Sequence, residues 1–488
     1  PFQAEDGIRD IVARLVGSEM CIRDRHKETV RLAEGLSDKG DLSPDARDRA
    51  LDCLSRFGQL LREVHASRVR AAGTSTIRRA REDNSFMDEA EAALGHPIEV
   101  ISGIEEARLI YQGVYHSMPP YDGLRLVMDI GGGSTELILG QGNKPRALES
   151  THMGCVSMTE RFFPGGKITR EGFQKARTAA QLELRPVKAF FRGSEGVEAI
   201  GTSGTILSTE RVAYELGVTK SHELTLDAVE ALIERVLEFD NVDQLDIRGL
   251  SERRSQVWPG GLSILAELLN VLRIDELRVS DGALREGLLY DILGRLQHKD
   301  ARERTVQAMA ARYHVDDAQA DRVQATAKML LDQCDEAWGL DFSLARKGLL
   351  WAARLHEIGL DISHDGFQRH GAYIAEHADM PGFPRAEQRL LAFLISSQRN
   401  LLSTRYLGDL PEAWRQTALR LAMLLRLAVL LSRSRGNADP PRIVMDVAKD
   451  SLDLRFDAAW LKSNPLAAAD LERERGYLAA IDYDLSFG

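Results

Sequence analysis

The chain has 488 residues, of which 44% are hydrophobic, and its formal net charge is −11 at neutral pH. This length predicts several domains, and the hydrophobic content is sufficient for each of them to form a core. The negative charge argues against a general nucleic-acid or membrane-surface binder, so a polyanionic substrate would need a local basic path. The four cysteines are far apart and lack metal-ligand spacing, which is typical of a reducing cytoplasm.

The first 25 residues differ from the rest of the chain. Their charges follow neither a helical nor a strand period, and the stretch resembles translated sequencing adapter at the ends of unrelated environmental sequences. We therefore exclude residues 1–25 from fold reasoning and expect them to make few buried apolar contacts.

The next segment alternates predicted strands and helices. A strand over residues 69–72 precedes a helix that is predicted to begin with Arg78, and this position favours Arg78 as a phosphate contact over a solvated face. A second strand, 98–101, leads into another helix.

Two neighbouring carboxylates at the start of that helix are predicted to differ in role. Ser102 and Glu105 have the spacing of a capping box, which gives Glu105 a structural role at the helix start. Glu106 projects about 100° away from Glu105 on a helix and has no such role. Arg108 could pair with either of them in an ordinary surface salt bridge.

The central stretch, residues 124–139, reads LRLVMDIGGGSTELIL and predicts two short strands joined by a glycine-rich turn. Successive glycines allow backbone N–H groups to turn towards an oxyanion. Asp129, at the end of the first strand, would be useful beside that anion only with a cation such as Mg²⁺ between them. The alternative is an ordinary glycine-rich hairpin, but the preceding aspartate favours phosphate binding.

A second glycine-hydroxyl turn strengthens this interpretation. A predicted strand, 197–200, ends in Gly201-Thr202-Ser203-Gly204-Thr205, and a helix follows. The N-terminus of a helix is a natural anion site. A further block, 276–290, combines a short strand with a helix that begins near Ala283.

Five motifs in this order resemble the exopolyphosphatase and guanosine pentaphosphate phosphatase family of the actin-like superfamily. They are SGIEEARLIYQGV, DIGGGSTELIL, MGCVSMTERFFPGG, GTSGT and SDGALREGLLYDIL. The resemblance, closest to long bacterial exopolyphosphatases, implies an α/β fold with two actin-like (ribonuclease H-like) lobes. These would be followed by an all-helical HD-like domain and a small α+β C-terminal unit. The implied segments are 26–110 and 111–300 for the lobes, 301–438 for the helical domain and 439–488 for the C-terminal unit.

The same resemblance implies a site, motif by motif. Glu106 would activate water, Asp129 and Glu136 would hold Mg²⁺, and the phosphate groups would be bound by a larger set of residues. That set is Arg78, Gly131, Gly132, Gly133, Ser134, Thr135, Ser203, Gly204 and Thr205. In-line attack on phosphorus requires a base for water, donors to the phosphoryl oxygens and a cation, so the set is chemically coherent.

The helical segment carries four histidines within a short stretch, namely His356, His364, His370 and His377. It resembles an HD phosphohydrolase domain, but the pair His356-Glu357 stands where that family has His-Asp, and the later region 395–400 lacks histidine. We therefore expect no second metal site there and favour a scaffold or polyphosphate-channel role.

The resemblance implies an exopolyphosphatase first and a pppGpp 5′-phosphatase second, either one a cytoplasmic homodimer with a peripheral inner-membrane position as an option. A third hypothesis is a catalytically silent polyphosphate or alarmone binder. It arises because the first lobe should open with its own phosphate loop, and the segment 1–25 stands in that place. Replacing this segment with a hairpin that carries an Asp-x-Gly-Ser-Asn-Ser loop is expected to raise both activity and melting temperature.

Overall fold

The computed structural model describes residues 8–16, 19–28, 30, 32, 35–37, 40–62, 64, 69–80, 84–191, 196–296, 300–340, 343–402, 404–433 and 442–488, with only the backbone for 8–27, 84, 296, 343, 404 and 458. The chain divides into two compact units, residues 1–300 and 301–488, called here the N-terminal unit and the C-terminal unit. Both α-helices and β-strands are present, and helices predominate. The predicted α/β class is therefore confirmed.

The strands of the N-terminal unit are β1 (Ile8–Val16), β2 (Glu19–Glu28), β3 (Ala71–Gly73), β4 (Ile98–Val100), β5 (Leu124–Ile130), β6 (Thr135–Gln141), β7 (Lys144–Thr151), β8 (Val197–Thr202), β9 (Glu223–Leu224) and β10 (Leu277–Val279). Its helices are α1 (Pro44–Leu61), α2 (Ser75–Arg79), α3 (Asn84–Leu94), α4 (Gly103–Ser117), α5 (Cys155–Phe162), α6 (Arg170–Leu184), α7 (Lys188–Phe191), α8 (Ser203–Glu215), α9 (Leu226–Val236), α10 (Glu252–Ser255), α11 (Trp258–Leu272) and α12 (Leu284–Leu296).

A six-stranded sheet with the order β7-β6-β5-β8-β10-β9 organises this unit. The strands β5, β6 and β7 form antiparallel hairpins, whereas β8 runs parallel to both β5 and β10. The run Leu126-Val127-Met128 of β5 is buried on both faces, as expected for a central strand with parallel pairing. Because parallel strands end at the same edge, the segments that follow β5, β8 and β10 meet there.

The first part of the chain forms two separate two-stranded sheets within the described residues. β1 and β2 form an antiparallel hairpin, and β3 and β4 pair in parallel. The strand β3 begins two residues later than the predicted strand. The expectation that residues 1–25 make few apolar contacts concerns side chains outside the described residues.

One helix boundary differs from the sequence expectation. Arg78 and Arg79 lie at the end of α2 and do not begin a helix, because the chain enters the helix directly after β3, at Ser75. The arginines therefore project from the last turn of a short helix.

The C-terminal unit is mostly helical, with a small sheet of order β11-β12-β13. Its elements are α13 (Ala301–Arg312), α14 (Asp317–Leu331), α15 (Asp335–Trp338), α16 (Ser343–Leu355), α17 (Phe367–His377), α18 (Arg385–Ser397), α19 (Thr404–Gly408), α20 (Glu412–Leu431), β11 (Ile443–Val447), β12 (Ser451–Phe456), α21 (Ala458–Ser463), α22 (Pro465–Ala479) and β13 (Asp484–Phe487). Buried residues of the sheet, including Met445 and Leu454, share one hydrophobic core with the helices. None of the helices in the described ranges is long and apolar enough to cross a membrane.

Candidate active site

The glycine-rich turn after β5 is shaped by hydrogen bonds that leave its central amides available. The Gly131 N–H donates to the Ser134 carbonyl at 2.9 Å, which closes the turn. The first amides of α5 occupy the turn's carbonyl oxygens, with Cys155 donating to Gly131 at 2.8 Å and Val156 donating to Gly132 at 3.0 Å. In the described structure, the N–H groups of Gly132 and Gly133 have no hydrogen-bond acceptor. Consecutive free amides of this kind form a site for an anion.

Close backbone approach fixes this turn on the start of α5. A Cβ atom added to Gly154 would lie 2.2 Å from the Gly132 carbonyl oxygen and 2.4 Å from the Gly133 nitrogen. Only glycine at position 154 therefore allows the start of α5 to pack directly against the backbone of the turn.

The second turn, after β8, lies at the same sheet edge and is fastened to the first. Ser203 has a left-handed backbone, with φ of 76°, and its Oγ donates to the Ile130 carbonyl at 2.9 Å. Thr202 Oγ1 donates to the Ser280 and Gly282 carbonyls, both at 3.0 Å. These bonds connect the second turn to the segment that follows β10. The N–H groups in the first turn of α8 lack intrahelical acceptors, which gives a second anion-binding position.

Glu106 lies in the first turn of α4 and is almost fully buried. Its Oε2 accepts a hydrogen bond from Arg78 Nη1 at 2.8 Å, and the same nitrogen donates to the Ile101 carbonyl at 2.9 Å. Burial raises the pKa of Glu106 above the ordinary value, although the adjacent Arg78 guanidinium lowers it in part. A carboxylate with a raised pKa and a fixed partner is suited to accept a proton from water.

Asp129 and Glu136 are directly opposite each other on β5 and β6, and both are buried. Ser150 Oγ donates to Glu136 Oε1 at 2.8 Å. Burial, and next the negative charge of Glu106, raise the pKa of Glu136 well above the ordinary value. Asp129, Glu136 and Glu106 therefore form an acidic cluster, and the positive charge of Arg78 partly offsets the raised pKa of Glu136.

The donor set of this cluster fits a magnesium ion. Mg²⁺ is usually held by one or two carboxylates together with substrate phosphates and water, and Asp129 and Glu136 offer such oxygens beside an anion-binding turn. The described residues contain no group of three or more His, Cys, Asp or Glu side chains arranged for a metal ion. A cation here would thus depend on substrate oxygens to complete its coordination.

Two of the predicted phosphate-binding threonines have buried side chains. Thr135 Oγ1 donates to the Met153 carbonyl at 2.7 Å, and the side chain is fully buried. Thr205 is also buried, and a Cβ atom on Gly261 of α11 would lie 2.4 Å from its methyl group. Both threonines remain near the turns through their backbones, while their side chains pack into the protein.

Three polar side chains that the sequence analysis did not select lie against the two turns. A Cβ atom on Gly133 would be 3.0 Å from Ser75 Oγ and 3.9 Å from Arg79 Nη1, whereas one on Gly204 would be 1.6 Å from Arg254 Nη2. Arg79 and Arg254 have no ion-pair partner among the described residues. Arg79 had a sequence signal, since it follows Arg78, but nothing local pointed to Arg254. Arg79 and Arg254 thus place one guanidinium group near each turn.

Glu105 belongs to a different environment from its neighbour Glu106. Ser102 Oγ accepts from the Glu105 N–H at 3.1 Å, as predicted for a helix start, but the Glu105 carboxylate accepts from Arg108 at 2.7 and 2.8 Å. Arg108 also donates to Asp291 of α12 at 2.5 Å. The pair is buried and is therefore not the surface salt bridge expected for Arg108.

The ions around Glu105 form a group of six, four of them buried and two half-buried, that we call the balanced cluster. Its members are three arginines and three carboxylates, namely Arg70, Arg108, Arg295, Glu99, Glu105 and Asp291. It joins β4 and α4 to α12.

Residues 11–296 match the model of the Ppx/GppA phosphatase family, and residues 301–475 match that of Ppx/GppA phosphatase, domain III. The chain belongs to the Ppx/GppA phosphatase family. The resemblance inferred from the five motifs is confirmed, and so is the predicted class of phosphoanhydride hydrolase. The first match begins inside the segment 1–25, and the predicted domain boundaries remain predictions.

Similar proteins cover nearly the whole chain. A "Guanosine-5'-triphosphate,3'-diphosphate pyrophosphatase" of Vibrio cholerae is 38% identical over 480 residues, which is 98% of this chain and 95% of that protein. The protein of the same name from Aeromonas hydrophila is 37% identical over 464 residues, covering 95% and 93% of the two chains.

Solved structures match more than half of the chain. The crystal structure of an exopolyphosphatase from Cytophaga hutchinsonii has a TM-score of 0.54 at 26% identity, and it covers 59% of this chain and 95% of its own. The Aquifex aeolicus member of the Ppx/GppA family has a TM-score of 0.51 at 26% identity, with 60% and 95% coverage.

Proposed function

We propose that this protein removes the 5′ γ-phosphate of guanosine pentaphosphate, pppGpp. The observation that carries this proposal is the similarity, over almost the full length of both chains, to relatives named for this substrate. The motif resemblance implied polyphosphate first and pppGpp second, and these relatives favour pppGpp.

In the proposed reaction, Glu106 takes a proton from the attacking water. Its burial and raised pKa favour proton uptake, and its hydrogen bond to Arg78 fixes the direction of the carboxylate. The amides of Gly132 and Gly133, the start of α8 and the guanidinium groups of Arg79 and Arg254 would bind phosphoryl oxygens.

Asp129 and Glu136 would hold the magnesium ion in this proposal. When bound, Mg²⁺ supplies positive charge that neutralises the charge on the phosphates. The raised pKa of Glu136 supports this role, because a nearby cation would offset the repulsion between Glu136 and Glu106.

Polyphosphate remains a second candidate substrate, supported by the similarity to the Cytophaga hutchinsonii exopolyphosphatase. Both substrates present a terminal phosphoanhydride and would use the same carboxylates. We also propose that the chain comprises two actin-like lobes, a helical HD-like domain and a small C-terminal unit, and that it acts as a cytoplasmic homodimer. A catalytically silent polyphosphate or alarmone binder is the alternative to an enzyme.

Phosphate release from pppGpp and from polyphosphate, measured on the purified chain with the Glu106→Gln variant as control, tests the proposal. We expect a higher kcat/KM for pppGpp and no comparable release by the variant. A higher kcat/KM for polyphosphate would favour the second candidate. Stoichiometric binding of either substrate without turnover by the unaltered chain would instead favour the silent binder.

A further inference from the structure

A pocket in the C-terminal unit combines buried polar groups with two arginines. Its volume is about 330 Å³, within the range of small-ligand sites. It is lined by Gln319, His356, Glu357, Leu360, His364, Phe367, Arg399, Val429 and Arg433. The two arginines, Arg399 and Arg433, belong neither to the predicted magnesium ligands nor to the proposed phosphatase site.

The two guanidinium groups are held at the pocket in different ways. Arg399 lies over the Phe367 ring, 5.5 Å from its centroid, and has no hydrogen bond or ion pair in the described part of the chain. Arg433 pairs with Asp470 Oδ2 at 2.6 Å, and both side chains remain partly exposed. The pocket thus offers one guanidinium without a direct ion pair among the described residues and one that is paired with Asp470 of α22.

The charges around Arg399 favour an anion at this position. Burial, and next the positive charge of Arg433, lower the pKa of Arg399, while Asp470 and Glu357 act in the opposite direction. A bound anion between the two guanidinium groups would remove their mutual repulsion. A divalent cation in the same place would add to that repulsion.

The buried side of the pocket limits where the anion can lie. His356 and Glu357 are buried, with His356 Nδ1 2.7 Å from the Ala353 carbonyl oxygen and Nε2 3.8 Å from Glu357 Oε1. A carboxylate at this depth disfavours a second anion beside it. The anionic group is therefore expected at the mouth, where the arginines lie.

We propose that this pocket is a second phosphate-binding site, in which Arg399 and Arg433 together bind the phosphoryl group of a small phosphorylated ligand. The planar fork of the guanidinium group matches phosphate oxygens and forms paired, charge-assisted hydrogen bonds. The ligand class includes nucleoside diphosphates and short phosphate chains, which share this phosphoryl chemistry. The proposal does not depend on the substrate of the N-terminal unit.

Equilibrium dialysis of the full chain with radiolabelled methylenediphosphonate, and in parallel with GDP, tests this site. We expect the Arg399→Gln/Arg433→Gln double variant to lose one bound ligand per chain, with affinity at this site reduced about tenfold or more. The Arg405→Gln variant, which alters an exposed arginine outside the pocket lining, should lose none. Binding of GDP alone would identify a nucleotide site, whereas equal binding of both probes would identify a site for the phosphate groups themselves.

The Asp470→Asn variant is expected to change the affinity for diphosphonate in the opposite direction. It removes the partner of Arg433 without touching the pocket lining, so we expect diphosphonate to bind more tightly. Unchanged stoichiometry in the double variant, weaker binding in Asp470→Asn, or a transition metal bound through Glu357 in place of the anion would each overturn the proposal. Melting curves of all variants provide the control for folding.

Discussion

The balanced cluster and the acidic cluster both lie largely buried in the N-terminal unit, and they contain the adjacent residues Glu105 and Glu106 of α4. In the balanced cluster, burial raises the pKa of Asp291, but Arg108, Arg70 and Arg295 outweigh burial and hold it well below the ordinary value. In the acidic cluster, burial and the neighbouring Glu106 raise the pKa of Glu136. Burial is similar, so the number of cationic partners determines the direction.

This difference separates a structural role from a chemical one. Matched buried ions fix α4 to β4 and α12, and removing one partner leaves a charge uncompensated. An excess of carboxylates is unfavourable for the fold and is retained where protons or cations are exchanged. We therefore propose that Glu105 has a structural role and Glu106 a chemical one, although they share a helical turn.

The largest expected effect on the fold comes from Asp291→Asn. Arg108 and Arg70 would each lose a charged partner at 2.5 Å, and we expect the free energy of unfolding to fall by about 3–5 kcal/mol. Because the folded-state pKa of Asp291 is lowered, its stabilisation is present above the unfolded value of about 3.9 and is lost as pH falls. Urea denaturation at pH 7 and below pH 4 measures this, and an equal loss at both would contradict the assignment.

Asp129→Asn tests the cation in the acidic cluster. Losing a carboxylate oxygen beside the glycine-rich turn is expected to raise the half-saturating Mg²⁺ concentration for phosphate release by about tenfold or more. The melting temperature without metal is the control and should change little. Full activity of the unaltered protein in excess chelator would rule out the role of Asp129.

Arg78→Gln sharpens the comparison by removing the cation that faces Glu106. Arg78 lowers the pKa of Glu106, so its removal should raise that pKa further. Because the base acts when it is deprotonated, the acid limb of the pH–rate profile should move to higher pH. If the acid limb stays at the same pH and only the maximal rate falls, a group other than Glu106 is responsible for the limb.

Glu136→Gln should have the smallest effect, and it should increase the free energy of unfolding. The raised folded-state pKa means that ionised Glu136 destabilises the fold as pH rises through that pKa. We expect the variant to gain about 0.5–2 kcal/mol at neutral pH, with the gain absent below the ordinary glutamate pKa. Thermal melts at the two pH values measure this difference, and a loss of stability at neutral pH would contradict it.

Local signals made part of this site predictable from the sequence. The strands around the glycine-rich turn, the second turn and the helix start at Ser102 all follow from residues within a few positions of each other. The inward orientation of the Thr135 side chain also had a local signal. Alternation along β6 places Thr135 on the face of Leu137, in the core, and Glu136 on the other face.

Long-range approaches could not be predicted in this way. Arg108 and Asp291 are 183 residues apart in sequence, and their pairing exists only because α12 packs on α4. Arg254 reaches Gly204 from a different helix, and Ser203 adopts a left-handed backbone that its sequence does not require. Tertiary packing decides these features, so they appear only in the folded structure.

The most direct measurement compares Glu105→Gln and Glu106→Gln by their rates of phosphate release from pppGpp per folded molecule. We predict a rate loss of about 10²–10⁴-fold for Glu106→Gln, as expected for a general base, with little change in stability. Glu105→Gln should retain the rate and instead unfold more easily, since Arg108 and Arg70 lose a partner. Equal rate losses in the two variants, or a larger loss for Glu105→Gln, would contradict the division between the two clusters.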